Sequence, residues 1–489
     1  MTSDTHPREP TTGTVPDWSL TASRRLPREL RAYRAWAIAH RLPEGVRDAD
    51  FHALTQRIMR SPLHECPGSE LLIDGALALQ AILDTIHGAR EELLLETYIL
   101  RDDAMGESVR GALAAAAARG VRVCVLADAI GSQATRTEFW ETFKAHGITV
   151  RLFHRLRYWP LQLLRRDHRK IIVADRQVAL TGGMNIGVEY GSSIRARHDA
   201  WRDTFIRIEG SVARELAAVF AEGWDRAQGP PLPGLEYVSW TEATHTSPSA
   251  PETSSNMAWR ARDLRTMVER RLAVRRDRRL GRRVRRVIDA ASDESTSAAL
   301  VLDARPGHGQ REVLAVLAAL AGGARRRIWI TTPYFAPPTR ALSLLRAASR
   351  RGIDVRLLLP SERTDVALVR HAAHGAYSAL LESGVRIFEY ERATLHSKTV
   401  VVDGHAGVVG STNLDFRSFW LNAECNVLLF DDRVAVNWSA PFSTTVRGAP
   451  KSRQRSGQLA ACVIDWAIGW HVSSAGHCSV SARNFHISE

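Results

Sequence analysis

The sequence predicts an α/β protein built from two duplicated α/β/α lobes, whose equivalent ends meet in one site about a pseudo-twofold axis. Three observations carry this. Two long stretches repeat one another in order, each alternates apolar strand-like runs with amphipathic helix-like runs, and each closes on the same eighteen-residue signature. The first copy runs EELLLETYILRDD, LAAAAARGVRVCVLAD and GITVRLFHR; the second runs RRRIWITTPYFAPP, LLRAASRRGIDVRLLLP and GVRIFEYER. Apolar runs bounded by turn residues and separated by helical patterns are the mark of βα units, so each copy is expected to hold a largely parallel sheet. A chain of 489 residues has room for two such lobes and additional segments. Its 45% hydrophobic and 24% charged content excludes a wholly disordered, collagen-like or disulfide-scaffold protein.

The N-terminal extension, 1–65, opens on a polar segment without the apolar core of a secretory signal peptide. Its stretch Arg24 to Arg41 suggests a basic helix, with Tyr33 and Trp36 placed either at a lipid interface or against the core. The first lobe spans 66–235 and the second 296–436. The helix patterns before Gly120 and Gly352 end on Arg-Gly, which suits left-handed C-caps. The uncharged run Val313 to Ala324 is far shorter than the roughly 20 residues a membrane span needs. Five scattered cysteines (Cys66, Cys124, Cys425, Cys462, Cys478) without CxxC spacing read as reduced thiols.

Between the lobes, 236–295, lie a Ser/Thr/Pro-rich linker at Thr241 to Asn256 and a segment in which Arg260 to Arg286 carries thirteen arginines against three acids. That is a net +10 of the chain's +13. Leu280, Val284, Val287 and Ile288 recur at helical spacing within it, so a basic amphipathic helix is expected. A solvated face, docking to an anionic membrane surface and nucleic-acid binding all fit such a helix. The C-terminal tail, 437–489, is loop-like and then patternless.

The shared signature is HRKIIVADRQVALTGGMN in the first lobe and HSKTVVVDGHAGVVGSTN in the second, both H-x-K-x4-D-x6-G-x-x-N. One H-x-K is common; the full pattern at equivalent places of a duplication is specific. Lysine usage sharpens it, since the chain has only four lysines against 62 arginines and two of the four are Lys170 and Lys398. A site that sets one compact ammonium beside a tetrahedral oxyanion requires lysine where arginine's planar fork does not fit. In a strand, residues i and i+2 face the same way, so His168 stands beside Lys170 and His396 beside Lys398. Two imidazoles and two ammonium groups then converge on one phosphate, with Asn185, Ser411 and Asn413 as neutral ligands. One histidine attacks phosphorus and the other acts as general acid and then base. Asp203 in WRDTF and Glu424 in LNAEC are the acids that each lobe offers to orient a histidine. Asp175 and Asp403 complete the motif, but at an odd offset from their histidines they face the opposite side and suit a structural role. Gly183 stands where the second motif has Ser411, so some asymmetry is expected. No zinc-type ligand spacing is present, and neither a metal nor a cofactor is expected.

These motifs resemble the phospholipase D superfamily, and GGMNIGVEY, WRDTFIRIEG, TPYFAPP, LHSKTVVVDG and GSTNLDFRSFWLNAE are similar to its bacterial cardiolipin synthases, over about residues 70 to 435. The resemblance implies a phospholipase D-type two-lobed fold and a catalytic motif set of His168, Lys170, Asp175, His396, Lys398 and Asp403. It further implies transfer of a phosphatidyl group between two phosphatidylglycerols through a phosphatidyl-histidine, with His168 as nucleophile and His396 as general acid. The membrane-spanning N-terminal pair of many members has no counterpart here, so peripheral contact on the cytoplasmic side of the membrane is expected. The basic segment and the loop carrying Tyr158, Trp159, Leu161, Leu163 and Leu164 are the candidate contact surfaces. Hydrolysis to phosphatidic acid is the alternative. A nuclease of the same superfamily and an inactive membrane scaffold are further ones, and no nucleic-acid partner is expected.

Overall fold

The apolar run Glu92–Thr97 forms a strand buried along its whole length, and its counterpart in the repeat, Arg327–Thr331, is buried from Ile328 onward in the second lobe. In the computed structural model, residues 31–73, 75–153, 164–191, 201–235, 297–432 and 447–448 are described. The linker, the basic segment at Arg260 to Arg286, the aromatic part of the loop before Leu164 and the tail beyond residue 448 lie outside them.

Each of these two strands pairs in parallel with the next strand of its copy. Glu92–Thr97 lies beside Arg122–Asp128 and then Thr149–Phe153, and Arg327–Thr331 beside Asp354–Pro360 and then Arg386–Tyr390. The helices Ala104–Ala118 and Thr339–Arg350 make the first crossovers. They end as the Arg-Gly pattern requires, with Gly120 at φ +89° and Gly352 at φ +84°.

The expected largely parallel sheet is corrected on the other side of each central strand. Ile171–Ala174 pairs antiparallel with Glu92–Thr97, then with Val178–Gly182, which pairs with Phe205–Glu209. Thr399–Val402, Ala406–Gly410 and Glu424–Phe430 repeat this in the second lobe. The hairpin in each lobe follows from the turn inside the signature: three residues, 175–177 and 403–405, reverse the chain, and so short a link joins only antiparallel strands.

Alternation along the strands sorts three cores. Leu93 and Leu95 face a layer with the helices Gly75–Gly88 and Ala104–Ala118, while Leu94 faces a central layer. That central core also takes Val301, Val401, Val427 and Leu429 from the second sheet, together with the helix Ser211–Arg226. The two sheets therefore face each other across one shared core, and the second sheet's outer face packs the helix Gln310–Gly323.

The described part of the N-terminal extension belongs to the second lobe's side. Strand His64–Cys66 pairs with Ser297–Ala304, and the helix Arg31–Arg41 lies so close to Gln310–Gly323 that a Cβ on Gly322 would meet the Trp36 carbonyl oxygen at 2.3 Å. Trp36 packs on this core under the Arg351 guanidinium, 5.3 Å from its ring, while Tyr33 is exposed. The short strand Arg447–Gly448 adds to the sheet edge beside Arg386–Tyr390.

Candidate active site

Both H-x-K triplets lie in extended chain just ahead of the strands Ile171–Ala174 and Thr399–Val402. Each is held by the opposite lobe. The His168 amide donates to the Ala423 carbonyl (2.9 Å) and the His396 amide to the Arg202 carbonyl (2.8 Å). This reciprocal pairing is the pseudo-twofold relation anticipated from the repeat, and it buries all four histidine and lysine side chains at the lobe boundary.

The orienting acids are exchanged between lobes, each lobe's acid serving the histidine of the other. His168 Nδ1 donates to Glu424 Oε2 at 2.9 Å, and His396 Nδ1 donates to Asp203 Oδ2 at 2.5 Å. A carboxylate only accepts, so each Nδ1 carries the proton and each Nε2 is left free for chemistry. Glu424 is fixed further by the Ser411 hydroxyl (2.5 Å), the Ser418 hydroxyl (2.8 Å) and Asn422 (3.3 Å). Asp203 lies where Gly183 permits it, because a Cβ there would sit 2.2 Å from Asp203 Oδ1. The Gly183/Ser411 difference is thus explained. Ser411 supports Glu424, and glycine makes room for Asp203.

Burial pushes the His168 ring down to about 4, with Lys170 and Lys398 adding to it, and lowers His396 as well. Both imidazoles are neutral near pH 7. Burial likewise lowers Lys170 to about 7 and Lys398 to about 8. Burial opposes ionisation of Glu424, yet His168, Lys170 and the Ser411 hydroxyl hold it below the usual carboxylate range. Lys170 Nζ donates to the His168 carbonyl at 2.7 Å, and Lys398 Nζ donates to the His396 carbonyl and stands 2.8 Å from its Nδ1. Each lysine thereby folds back onto its own histidine, as the i, i+2 spacing implied.

Asn185 is tied into the first lobe. Its Nδ2 donates to the Tyr190 hydroxyl (2.8 Å) and its Oδ1 accepts from the Ile99 amide (3.2 Å). Asn413 Oδ1 is buried with no partner among the described residues. Asp175 and Asp403, carried into the catalytic set with the motif, have their carboxylates engaged elsewhere. Asp175 accepts from the amides of Arg90, Glu91 and Glu92 at 2.8–2.9 Å, and Asp403 from those of Arg325, Arg326 and Arg327 at 2.7–2.9 Å. Both sit at positive φ, 50° and 54°, clamping the start of each central strand at the turn.

Several residues around the site escaped the sequence reading. The His396 ring is boxed by Tyr190 (5.4 Å), Trp201 (5.3 Å) and Tyr334 (6.2 Å), whereas His168 has Tyr98 at 5.0 Å. Tyr190 and Tyr334 lie in GVEY and TPYF, which stood out only as family-like strings. Arg169, between His168 and Lys170, points away into the lobe boundary, where it donates to Glu222 (3.0 Å) and across to Asp303 (2.6 Å). At the equivalent position Ser397 accepts from Arg202 Nη1 at 2.6 Å.

Comparison with known proteins shows the family. The family described as "Cardiolipin synthase, PLD-like domain" matches residues 82–224 and 317–445, reaching past the end near residue 435 of the resemblance in the sequence. Cardiolipin synthase of Geobacillus thermodenitrificans (strain NG80-2) is 32% identical over 80% of this chain and 68% of its own length. Cardiolipin synthase A of Pseudomonas aeruginosa (strain LESB58) is 30% identical over 81% and 71%, and cardiolipin synthase 1 of Bacillus cereus 28% over 89% and 77%. Among solved structures, the phosphatidylserine synthase of Haemophilus influenzae Rd KW20 superposes with a TM-score of 0.57 over 86% of this chain and 97% of its own, at 15% identity, which speaks to the fold.

Proposed function

The chain belongs to the cardiolipin synthase, phospholipase D-like domain family and is a phosphatidyltransferase of that superfamily; from this premise we propose that it joins two phosphatidylglycerols into cardiolipin and glycerol through a phosphatidyl-histidine. The observation that carries the reading is the crossed pair of imidazoles, each with Nδ1 held by a carboxylate of the other lobe and flanked by a lysine.

In the first step His168 Nε2 attacks phosphorus, a P–N bond forms, and the bond to the glycerol oxygen breaks. Imidazolium His396 donates its Nε2 proton to that oxygen, and glycerol leaves. His396 is lowered in the empty site, and an arriving phosphodiester anion favours its charged form, whose second proton comes from solvent. In the second step neutral His396 takes the proton of a second phosphatidylglycerol's headgroup hydroxyl. That oxygen attacks phosphorus, cardiolipin forms and His168 is released. Lys170 and Lys398 offset the charge on the non-bridging oxygens, with Asn413 and Asn185 as neutral donors. Ser411 acts through Glu424, while Asp175 and Asp403 act through the strands.

The reading places the protein peripherally on an anionic membrane, at the cytoplasmic face. No helix among the described residues is long and apolar enough to cross a membrane. Of the six large hydrophobic side chains exposed among the described residues, four support this reading: Leu164, Val366, Leu368 and Trp420. Leu164 leads into the segment paired with Ala423, and Trp420 precedes it. Val366 and Leu368 flank the start of the helix Ala367–Glu382, next to Asp365, which accepts from Tyr334 beside His396. Exposed Arg165 and Arg417 add the positive charge that anionic headgroups attract. Mass analysis of products from phosphatidylglycerol vesicles tests the function: cardiolipin plus glycerol is expected, whereas phosphatidic acid alone makes the protein a hydrolase.

A further inference from the structure

The two halves of the site differ most in what surrounds the imidazoles. On the His168 side the acid is buried under hydroxyls, and one aromatic ring stands near. On the His396 side, three aromatic rings line the ring, and an exposed carboxylate is bonded to one of them. That carboxylate is Asp365, which accepts from the Tyr334 hydroxyl through Oδ2. Its Oδ1 has no hydrogen-bond partner among the described residues. Asp365 is exposed, on the segment leading into the helix Ala367–Glu382, while Tyr334 is half-buried and reaches from the loop after the second lobe's central strand. It also bears electrostatically on His396 and Lys398, which puts it within reach of the same pocket.

A carboxylate beside a site for a phosphodiester anion repels the phosphate and does nothing to hold it. Its use must lie with a neutral part of the substrate, and a carboxylate that accepts only is matched by hydroxyl donors. Aromatic faces with a carboxylate at their rim suit a small polyol, whose C–H faces pack on the rings while its hydroxyls donate to the acid. The chemistry gives the polyol its place. The leaving oxygen protonated by His396 belongs to glycerol, and the incoming oxygen deprotonated by His396 belongs to a second glycerol headgroup.

We propose that Tyr334 and Asp365 form the acceptor subsite of this protein, a diol-binding pair that holds the free hydroxyls of a glycerol headgroup while its remaining hydroxyl faces His396. The pair selects a polyol over a simple alcohol or water as the acceptor of the phosphatidyl group. It rests on the transferase reading above, and deepens it by assigning acceptor choice to one side of the site. The same pair receives the departing glycerol in the first step and the incoming headgroup in the second.

The test measures how the phosphatidyl group partitions. Full-length protein is incubated with phosphatidylglycerol vesicles, isotope-labelled glycerol and propan-1-ol at equal concentration, and labelled phosphatidylglycerol, phosphatidylpropanol and phosphatidic acid are quantified together. The unaltered protein is expected to favour glycerol over propan-1-ol. Asp365→Asn and Tyr334→Phe, both near-isosteric, should each lower the glycerol-to-propanol ratio by about tenfold or more: the first weakens the charge-assisted hydrogen bond made only to the diol, and the second removes the hydroxyl that holds Asp365 in place to make it. Because the readout is a ratio within one reaction, partial loss of folded protein or of His396 acidity does not alter it. An unchanged ratio in both variants overturns the subsite even if total turnover falls. If the unaltered protein forms none of these products and no cardiolipin, the transferase reading itself fails; glycerophosphoglycerol binding by calorimetry then decides the subsite separately. Equal affinity for Asp365→Asn and the unaltered protein would reject it.

Discussion

His168 of the first lobe and Glu424 of the second lie 256 residues apart in sequence and 2.9 Å apart in space, and the mirror pair His396–Asp203 closes the exchange. Neither lobe therefore holds a complete histidine–acid unit by itself. Glu424→Gln keeps the shape and removes the charge that fixes the Nδ1 proton, so turnover should fall by roughly 10²- to 10⁴-fold, as for other acids that orient a catalytic histidine. Ser411→Ala, which loosens Glu424 without discharging it, should cost much less. The check is the single-turnover rate of phosphatidyl-enzyme formation, with circular dichroism confirming the fold; a Gln variant as active as the unaltered protein would refute the orienting role.

The lowered lysines and the lowered His396 together set the alkaline limb of activity. His168 is used without a proton and gains one only as pH falls through about 4. Lys170 and Lys398 are used with theirs and lose them as pH rises through about 7 and about 8, and His396, lowered too, must be protonated to act as acid. The profile of kcat/KM should thus rise through about pH 4 and fall on the alkaline side, by more than tenfold per pH unit above about pH 8, because more than one proton is lost. A flat profile to pH 9 contradicts the assignment. Lys170→Arg and Lys398→Arg keep the charge, yet should not restore activity, because a planar fork does not fit where a folded-back ammonium does.

Much of this site is legible in the sequence. The duplicated signature located His168, Lys170, His396 and Lys398, and WRDTF and LNAEC located both acids. Which acid serves which histidine was not legible, since exchange between lobes is a property of how the lobes dock. The antiparallel half of each sheet was overlooked because uniformly apolar strands such as IIVA and TVVV carry no sign of direction; the short turn after them did. Tyr334 and Asp365 were invisible for another reason. Each is ordinary in its own segment, and they meet only because the helix Ala367–Glu382 packs beside the strand Phe335–Ala336.

Asp175 and Asp403 should behave as parts of the scaffold. Each carboxylate takes three backbone amides at the start of a central strand and sits at positive φ. Asp403→Ala removes these bonds and leaves alanine in a left-handed conformation, which together should destabilise the protein by about 2–4 kcal/mol. Asp403→Asn retains an acceptor and tolerates that backbone, so it should recover part of the loss. Denaturant unfolding followed by fluorescence measures both. A large fall in turnover with no fall in stability would instead place the carboxylate in the chemistry.

The apolar residues around the site make a prediction about where the protein works. Leu368 and Trp420 are exposed close in sequence to Asp365, which binds Tyr334 beside His396, and to Ala423, which pairs with the chain before His168, so a membrane touching both is expected to lie beside the site. Inserting two such side chains into the headgroup region is favourable by a few kcal/mol, at about 25 cal/mol per Å² of apolar area removed from water. The double variant Leu368→Ser/Trp420→Ser should therefore bind phosphatidylglycerol vesicles at least about tenfold more weakly in flotation at physiological salt. The sharper measurement is the ratio of turnover on vesicles to turnover on monomeric short-chain phosphatidylglycerol, which separates docking from chemistry. A fall in that ratio means substrate is taken directly from the bilayer through this face. An unchanged ratio shifts membrane attachment to other parts of the chain, the arginine-rich segment first, and salt titration of vesicle binding identifies that case because its attraction is screened within about 10 Å at 0.1 M salt.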